Sequence, residues 1–178
     1  MQIGDNTLGG IVAYLYQEGD TGYISGEEHG FVVSSADIGQ TYWGCSGNMN
    51  ASGIALGTGY QNTLNIINNC PDENTAAKLC VNYNGGGYTD WVLPSNDEAL
   101  MFCPLNWLGF GNFSTEDICH TSSEVGIEFG DDYVNYLSSF AQNLNYTIDT
   151  WNNGEPYWRY FGGNEKTFIF SVRAIRYF

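Results

Sequence analysis

The chain is short of positive charge. Its 178 residues include 5 Lys and Arg against 20 Asp and Glu, for a formal net charge of −15. Such an acidic field repels phosphate groups, which argues against binding to nucleic acid or to an anionic membrane surface. The excess of acid indicates either simple solubility, including in a salty medium, or the attraction of a cation or a basic partner.

Proline and long apolar runs are also scarce. The sequence has 4 prolines but 23 glycines, which predicts many tight turns rather than a proline-rich linker. No apolar run approaches the roughly 20 residues of a membrane-spanning helix, so we expect no membrane insertion. The opening MQIGDNTLGG lacks the basic flank and apolar stretch of a secretory signal. The length and the 43% hydrophobic content fit one domain over residues 1–178.

The cysteines do not form a metal-binding pattern. Their number is odd and no C-x-x-C occurs, which argues against a zinc site. Adjacent Cys119 and His120 could suggest a thiol nucleophile and its base, but neighbours on a strand point to opposite faces. Buried free thiols are the favoured interpretation, with one disulfide left open. The five cysteines are Cys45, Cys70, Cys80, Cys103 and Cys119.

Hydrophobic runs near the two ends of the chain predict strands. Residues 11–16 (IVAYLY) and 31–34 (FVVS) are β-prone and predict a hairpin. Residues 43–60 are small and turn-forming, which predicts a long structured loop. Residues 167–178 alternate in polarity and predict a central strand, whose two arginines pair with carboxylates.

The middle of the chain predicts two helices. Residues 61–70 and 74–83 carry apolar residues at helical spacing. Pro71 separates the two patterns, and Asn74 is placed to cap the second helix.

The most patterned stretch is GGGYTDWVLPSNDEALMF, residues 85–102. The glycines turn the chain, Trp91 begins a short buried strand, and Pro94 ends it because proline cannot donate a ladder hydrogen bond. Ser95 and Glu98 have the S-x-x-E spacing of a capping box, which predicts a helix that continues to the next proline. We interpret Trp91, Pro94, Ser95 and Glu98 as scaffold that positions a helix against a sheet.

The order of several motifs resembles the C-terminal domain family of the Legionella collagen-like adhesin, whose relatives occur in bacterial surface and phage proteins. The motifs cover nearly the whole chain, and the block GGYTDWVLPSNDE at residues 86–98 is specific. The others are GGIVAYLY, WGC, GIALGTGYQNTLNIINNC, HTSSE and VRAIRYF.

The resemblance implies a C-type-lectin-like fold, similar to that of formylglycine-generating enzymes. Such an α+β domain has a mostly antiparallel sheet, about three short helices and long loops that display binding residues. Residues 119–124 read CHTSSE where the family has Tyr-Trp-Ser-Ser before the glutamate, which alters the aromatic platform expected there. The adhesin binds sulfated polysaccharides. We do not expect them as ligands of this chain, because an acidic chain repels polyanions. Residues 130–163 are longer than is usual in the family and form the predicted specificity loop.

Aromatic side chains in a glycine- and asparagine-rich segment are the candidate ligand-binding surface. Tyr and Trp stack on sugar rings and anchor protein interfaces, although core packing is the alternative. These candidates are Trp151, Tyr157, Trp158 and Tyr160. Calcium needs about six to eight oxygen ligands, so a solvated acidic turn is the alternative to a metal site at the acidic candidates. Those acidic candidates are Glu128, Asp131 and Asp132.

Acid–base catalysis on a glycan is the enzymatic alternative. It needs two carboxylates at a set distance, and the spacing of residues along the sequence does not give that distance. A pair of cysteines like that of formylglycine-generating relatives, Cys103 with Cys119, has no support in the spacing either. We therefore predict no enzymatic activity. The carboxylates weighed for this role are Glu98, Glu116, Asp117, Glu124 and Glu128.

Together these features predict a non-catalytic, surface-displayed binding module that recognises a host-surface glycan or protein. We expect it on a phage virion, as a fibre, spike or head decoration. A purely structural capsid-decorating or vertex protein is the first alternative, and a secreted bacterial adhesin domain, extracellular or at the cell surface, is the second. The expected partners are other virion or surface-assembly proteins within an oligomer or larger assembly, with calcium as the one cofactor left open.

Overall fold

The structure is a computed structural model that describes residues 1–113, 118–124, 140–145, 148–150, 156–158 and 164–178. It is an α+β fold with mostly antiparallel sheets, short helices and long loops, as predicted. The described helices are α1 (Gly59–Asn69), α2 (Ala76–Val81), α3 (Asn96–Leu100) and α4 (Phe102–Trp107), with a 3₁₀ turn at Gly85–Gly87. The described strands are β1 (Asn6–Thr7), β2 (Gly10–Leu15), β3 (Gly30–Val33), β4 (Gly39–Tyr42), β5 (Ile118–Glu124), β6 (Phe140–Asn145), β7 (Ile148–Thr150), β8 (Pro156–Trp158), β9 (Asn164–Glu165), β10 (Ile169–Val172) and β11 (Ile175–Tyr177).

The first sheet has the strand order β1-β2-β3-β11 and is antiparallel throughout. Its centre is the predicted hairpin of β2 and β3, which is confirmed. Alternate residues of β3 enter different core clusters, since Val32 packs with one and Phe31 and Val33 with the other. Apolar side chains therefore cover both faces of this sheet, which explains why its strands are continuous hydrophobic runs.

The second sheet has the order β4-β10-β5-β6-β9. β10 lies between β4, to which it is antiparallel, and β5, to which it is parallel. A third, two-stranded sheet pairs β7 with β8.

The C-terminal run does not form one central strand, so that prediction is wrong. It divides into β10 in the second sheet and β11 at the edge of the first. The division falls at Arg173, whose buried guanidinium pairs with Asp37 and donates to the Ser34 carbonyl oxygen at 3.0 Å. Burying this charge requires such partners. The predicted ion pairing of both arginines is confirmed, because Arg176 pairs with Asp90.

Helix boundaries differ from the predictions in three places. The loop ends at residue 58 because α1 already begins at Gly59. Thr75 rather than Asn74 caps α2, because its extended backbone lets its hydroxyl accept from the Lys78 N–H at 3.3 Å. Pro104 does not end a helix: it lies in the first turn of α4, where its missing N–H has no intrahelical partner to lose, and the break comes instead at Met101.

The cysteines include one disulfide, between Cys45 and Cys70, which joins the long loop to the end of α1. Cys80 is a buried free thiol, and burial raises its pKa well above the ordinary value. None of the helices in the described part of the chain has the length and apolarity to cross a bilayer.

Candidate functional site

The capping box predicted in the corner at residues 91–98 is confirmed. The Ser95 side chain accepts from the Glu98 N–H at 3.4 Å, and the Glu98 carboxylate accepts from the Ser95 N–H at 2.6 Å. Trp91 is 1% exposed, and its ring lies 5.1 Å from that of Tyr83. The expected short strand is a single antiparallel bridge from Val92 to Ile175, since Pro94 follows too closely for a longer ladder.

Glu98 also reaches across to the long loop. One carboxylate oxygen accepts from the Ser95 N–H, and the other accepts from the Gly57 N–H at 2.8 Å and the Tyr177 hydroxyl at 2.6 Å. Burial raises the pKa of Glu98 above its ordinary value, against the lowering effect of these hydrogen bonds. Burial and the nearby Glu98 carboxylate raise the pKa of Tyr16 to about 12. The carboxylate therefore ties α3, β11 and the end of the loop together.

A second buried carboxylate, Glu124 at the end of β5, fixes the other part of the same loop. It accepts from the N–H groups of Met49 at 3.0 Å and Ala51 at 2.9 Å, and it forms an ion pair with Lys166. The ammonium of Lys166 also donates to the Gly47 carbonyl oxygen at 2.8 Å and lies 4.3 Å from the centre of the Trp43 ring. Burial lowers the pKa of Lys166, while the Glu124 carboxylate opposes that shift.

Asparagines on one face of α1 hold the backbone of the loop from a third side. Asn62 donates to the Gly53 carbonyl oxygen at 2.6 Å and accepts from its N–H at 3.1 Å. One turn further on, Asn65 donates to the Asn50 carbonyl oxygen at 2.6 Å, and Asn69 donates to that of Met49 at 3.2 Å. These residues follow helical spacing, so they present one row of amides to the loop.

The described residues also contain a polar cleft of about 340 Å³ between strand β4 and helix α2. Its lining comprises Gly39, Gln40, Thr41, Glu73, Asn74, Thr75, Leu79 and Asn82. No local pattern in the sequence predicts it.

The walls of the cleft are cross-linked. The Thr41 hydroxyl donates to the Asn74 carbonyl oxygen, and Tyr42 forms a parallel bridge with Thr75. The hydrogen bond between the Tyr42 hydroxyl and the Asp72 carboxylate raises the pKa of Tyr42 and lowers that of Asp72. The Cys45–Cys70 disulfide lies directly before this segment.

The predicted ligand-binding aromatics fall largely outside the described residues. Trp151 and Tyr160 lie there, while Tyr157 and Trp158 belong to β8, of which the structure describes the backbone and its pairing with β7. The cation candidates Glu128, Asp131 and Asp132, and the carboxylates Glu116 and Asp117, also lie outside the described residues. Their roles therefore stay predictions.

The scaffold residues and the HTSSE motif are buried together. Ser122 donates its N–H to the Pro94 carbonyl oxygen at 2.7 Å, and the Ser123 hydroxyl accepts from the Asn96 N–H at 3.0 Å. The ring of His120, also buried, lies 2.8 Å from the Thr41 carbonyl oxygen. Residues 119–124 thus support the corner and the loop from inside the molecule rather than forming a surface.

A metal centre is not evident in the described ranges. Within them, no three His, Cys, Asp or Glu side chains come together in a way that could hold an ion.

No protein-family model matches this chain, and no curated protein matches it at a significant level. The resemblance to the adhesin family therefore stays a prediction that depends on the motifs quoted above.

Proposed function

We propose that this chain is a non-catalytic, surface-displayed binding module of C-type-lectin-like kind, carried on a phage virion and directed at a host-surface glycan or protein. The observation that carries the proposal is the anchoring of the loop at residues 43–58. Two buried carboxylates, one disulfide and the asparagine face of α1 hold this loop. A loop ordered before binding loses less conformational entropy when it meets a ligand.

The use of the buried carboxylates supports a non-catalytic role. General acid–base chemistry needs a carboxyl group that can reach a substrate. Glu98 and Glu124 are 0% and 8% exposed, and both oxygens of each accept hydrogen bonds from the protein itself. These two groups hold the backbone in place rather than facing a substrate.

The charge of the chain limits the classes of ligand that we expect it to bind. A net charge of −15 disfavours sulfated or phosphorylated surface polymers and favours uncharged glycans or basic protein surfaces. The predicted aromatic group at residues 151–160 supplies side chains that stack on sugar rings.

Binding of the purified protein to host-surface glycans and whole cells, with and without calcium, tests the proposal. We expect saturable binding that the double variant Trp151→Ala/Trp158→Ala loses. The matched control is Tyr23→Ala/Tyr60→Ala, because these aromatics, in the β2–β3 connection and in α1, are 38% and 53% exposed. The control should bind like the parent chain.

Two other results would redirect the proposal. If calcium chelation abolished binding, calcium would be part of the proposed site. If no glycan or cell bound under any condition and the chain associated instead with its own particle, the purely structural role would replace the binding role.

A further inference from the structure

The cleft between β4 and α2 has the size of a site for a small ligand. Its volume of about 340 Å³ lies at the lower end of the range of roughly 300–1,000 Å³ typical of ligand pockets. A cleft of this size accommodates one ring of an oligomeric ligand rather than several.

Its lining is polar but carries little net charge. Gln40, Asn74 and Asn82 present side-chain amides and are exposed. Within the described part of the chain the amides of Asn74 and Asn82 make no hydrogen bond, which leaves their donors and acceptors open to a ligand. Leu79 contributes a half-buried apolar surface. The carboxylate of Glu73 is paired with the Lys78 ammonium at 2.7 Å.

The cleft is formed before any ligand arrives. Thr41 is bonded to the Asn74 carbonyl oxygen on the opposite wall, and the Tyr42–Thr75 bridge closes one end. The capping hydrogen bond of Thr75 fixes the start of α2 beneath it. Because the walls are already linked, they lose less conformational entropy when a ligand binds.

Several ligand classes fit this lining poorly. An anion would meet the Glu73 carboxylate within an acidic chain. A divalent cation would find one carboxylate where it needs several oxygen ligands. A peptide added along β4 would be blocked at Tyr42, because Thr75 already pairs there.

We propose that the cleft binds one uncharged sugar ring, a pyranose unit of a neutral glycan. Sugar hydroxyls donate and accept at once, which matches amides that do the same, and the C–H face of the ring fits the apolar surface of Leu79. The inference rests on the proposed function for the source of the ligand, a host-surface glycan. It adds a site whose lining residues differ from those of the predicted aromatic group.

The test is a titration of the ¹⁵N-labelled full chain with glucose, galactose, mannose and N-acetylglucosamine, followed by NMR. The expected result is saturable shifts of the side-chain amide signals of Gln40, Asn74 and Asn82 for at least one sugar. A single ring should bind with a Kd on the order of 1–10 mM. Gln40→Ala and Asn82→Ala should each weaken binding by about five- to tenfold, because each removes a hydrogen-bonding amide.

The matched control is Gln2→Ala, which removes an amide that is also exposed but does not line the cleft. It should leave the sugar affinity unchanged. The spectra report folding, and Asn82→Asp, which removes the amide donor at similar size, replaces Asn82→Ala if that variant unfolds.

Three outcomes would overturn the cleft as a sugar site: no shift with any sugar at tens of millimolar, shifts that both variants retain, or shifts caused by an extended peptide but not by sugars. Free monosaccharide rather than cells is the probe. A failure here therefore leaves the cell-binding result of the Trp151 and Trp158 variant intact, and the reverse also holds.

Discussion

Glu98 and Glu124 are buried carboxylates that accept hydrogen bonds from the same loop, at Gly57 and at Met49 and Ala51 respectively. Within the described residues, Glu124 has a cationic partner, Lys166. The hydrogen-bonding partners of the Glu98 carboxylate are neutral donors. Two parts of the loop, residue 57 and residues 49–51, are thus held by different physical means.

The difference predicts different sensitivities to substitution. A buried ion pair is costly to break because the remaining charge has lost its compensation, although forming the pair contributes little net stability. A buried carboxylate held by neutral donors shares its charge among several dipoles, so the loss of one donor costs less. The part of the loop that Glu124 holds should therefore respond more strongly to the loss of a single partner.

Lys166→Met should have the largest effect, because it leaves the Glu124 carboxylate buried without its cation. Lys166 is 1% exposed, and its substitution should lower the free energy of unfolding by about 3–5 kcal/mol. Chemical denaturation of the purified variant measures this loss.

Lys78→Met is the control for that variant. Lys78 pairs with Glu73, whose side chain is 79% exposed and can return to water, so the loss should stay below about 1 kcal/mol. Equal losses in the two variants would contradict the distinction between the buried and the exposed pair.

The two carboxylates also differ in how well the sequence predicts them. The capping box of Ser95 and Glu98 is a local pattern, so its spacing is sufficient to place it, and the hairpin of β2 and β3 is equally local. The partners of Glu124 lie 75, 73 and 42 residues away along the chain. No local spacing encodes such contacts.

The cleft and the asparagine face of α1 were not predicted from the sequence, for a related reason. The helical pattern of residues 61–70 was interpreted from its apolar residues, Leu64 and Ile67, yet both are partly exposed whereas Asn62 is buried. Asparagines at helical spacing were the available signal. The cleft depends on the meeting of β4 with α2, which only the tertiary fold sets.

Glu98→Gln should have the next largest effect. The amide nitrogen that replaces one carboxylate oxygen would face a backbone N–H, so one buried donor loses its acceptor, at a cost of about 1–3 kcal/mol. Hydrogen exchange should become faster at the Ser95 or the Gly57 amide, whichever faces the new nitrogen, and stay slow at the Met49 and Ala51 amides. Faster exchange at the Met49 and Ala51 amides as well would show that the loop is held as one unit rather than at two separate places.

Ser95→Ala should cost about 1 kcal/mol, the usual loss for an N-cap hydroxyl. It removes the acceptor for the Glu98 N–H and the donor to the Ala55 carbonyl oxygen at 2.9 Å. Thr75→Ala, which removes the cap of α2, is the matched control. Both variants should unfold at lower temperature, but only Ser95→Ala should make the Gly57 amide exchange faster, and a similar change in Thr75→Ala would contradict a local role for the corner.

The smallest effect concerns pH and depends on the raised pKa of Glu98, which burial causes. A group that binds its proton more tightly when folded contributes stability that is fully present below its unfolded pKa and is lost as the pH rises through the folded pKa. The neighbouring tyrosines, Tyr16 and Tyr177, have pKa values raised above 10 and so stay neutral between pH 4 and 7. The difference in unfolding free energy between the parent chain and Glu98→Gln should therefore favour the parent more at pH 4 than at pH 7. Denaturation of both proteins across this range measures the difference, and an advantage of the parent that grows with rising pH would mean that the hydrogen bonds from Ser95, Gly57 and Tyr177 outweigh the burial of the charge.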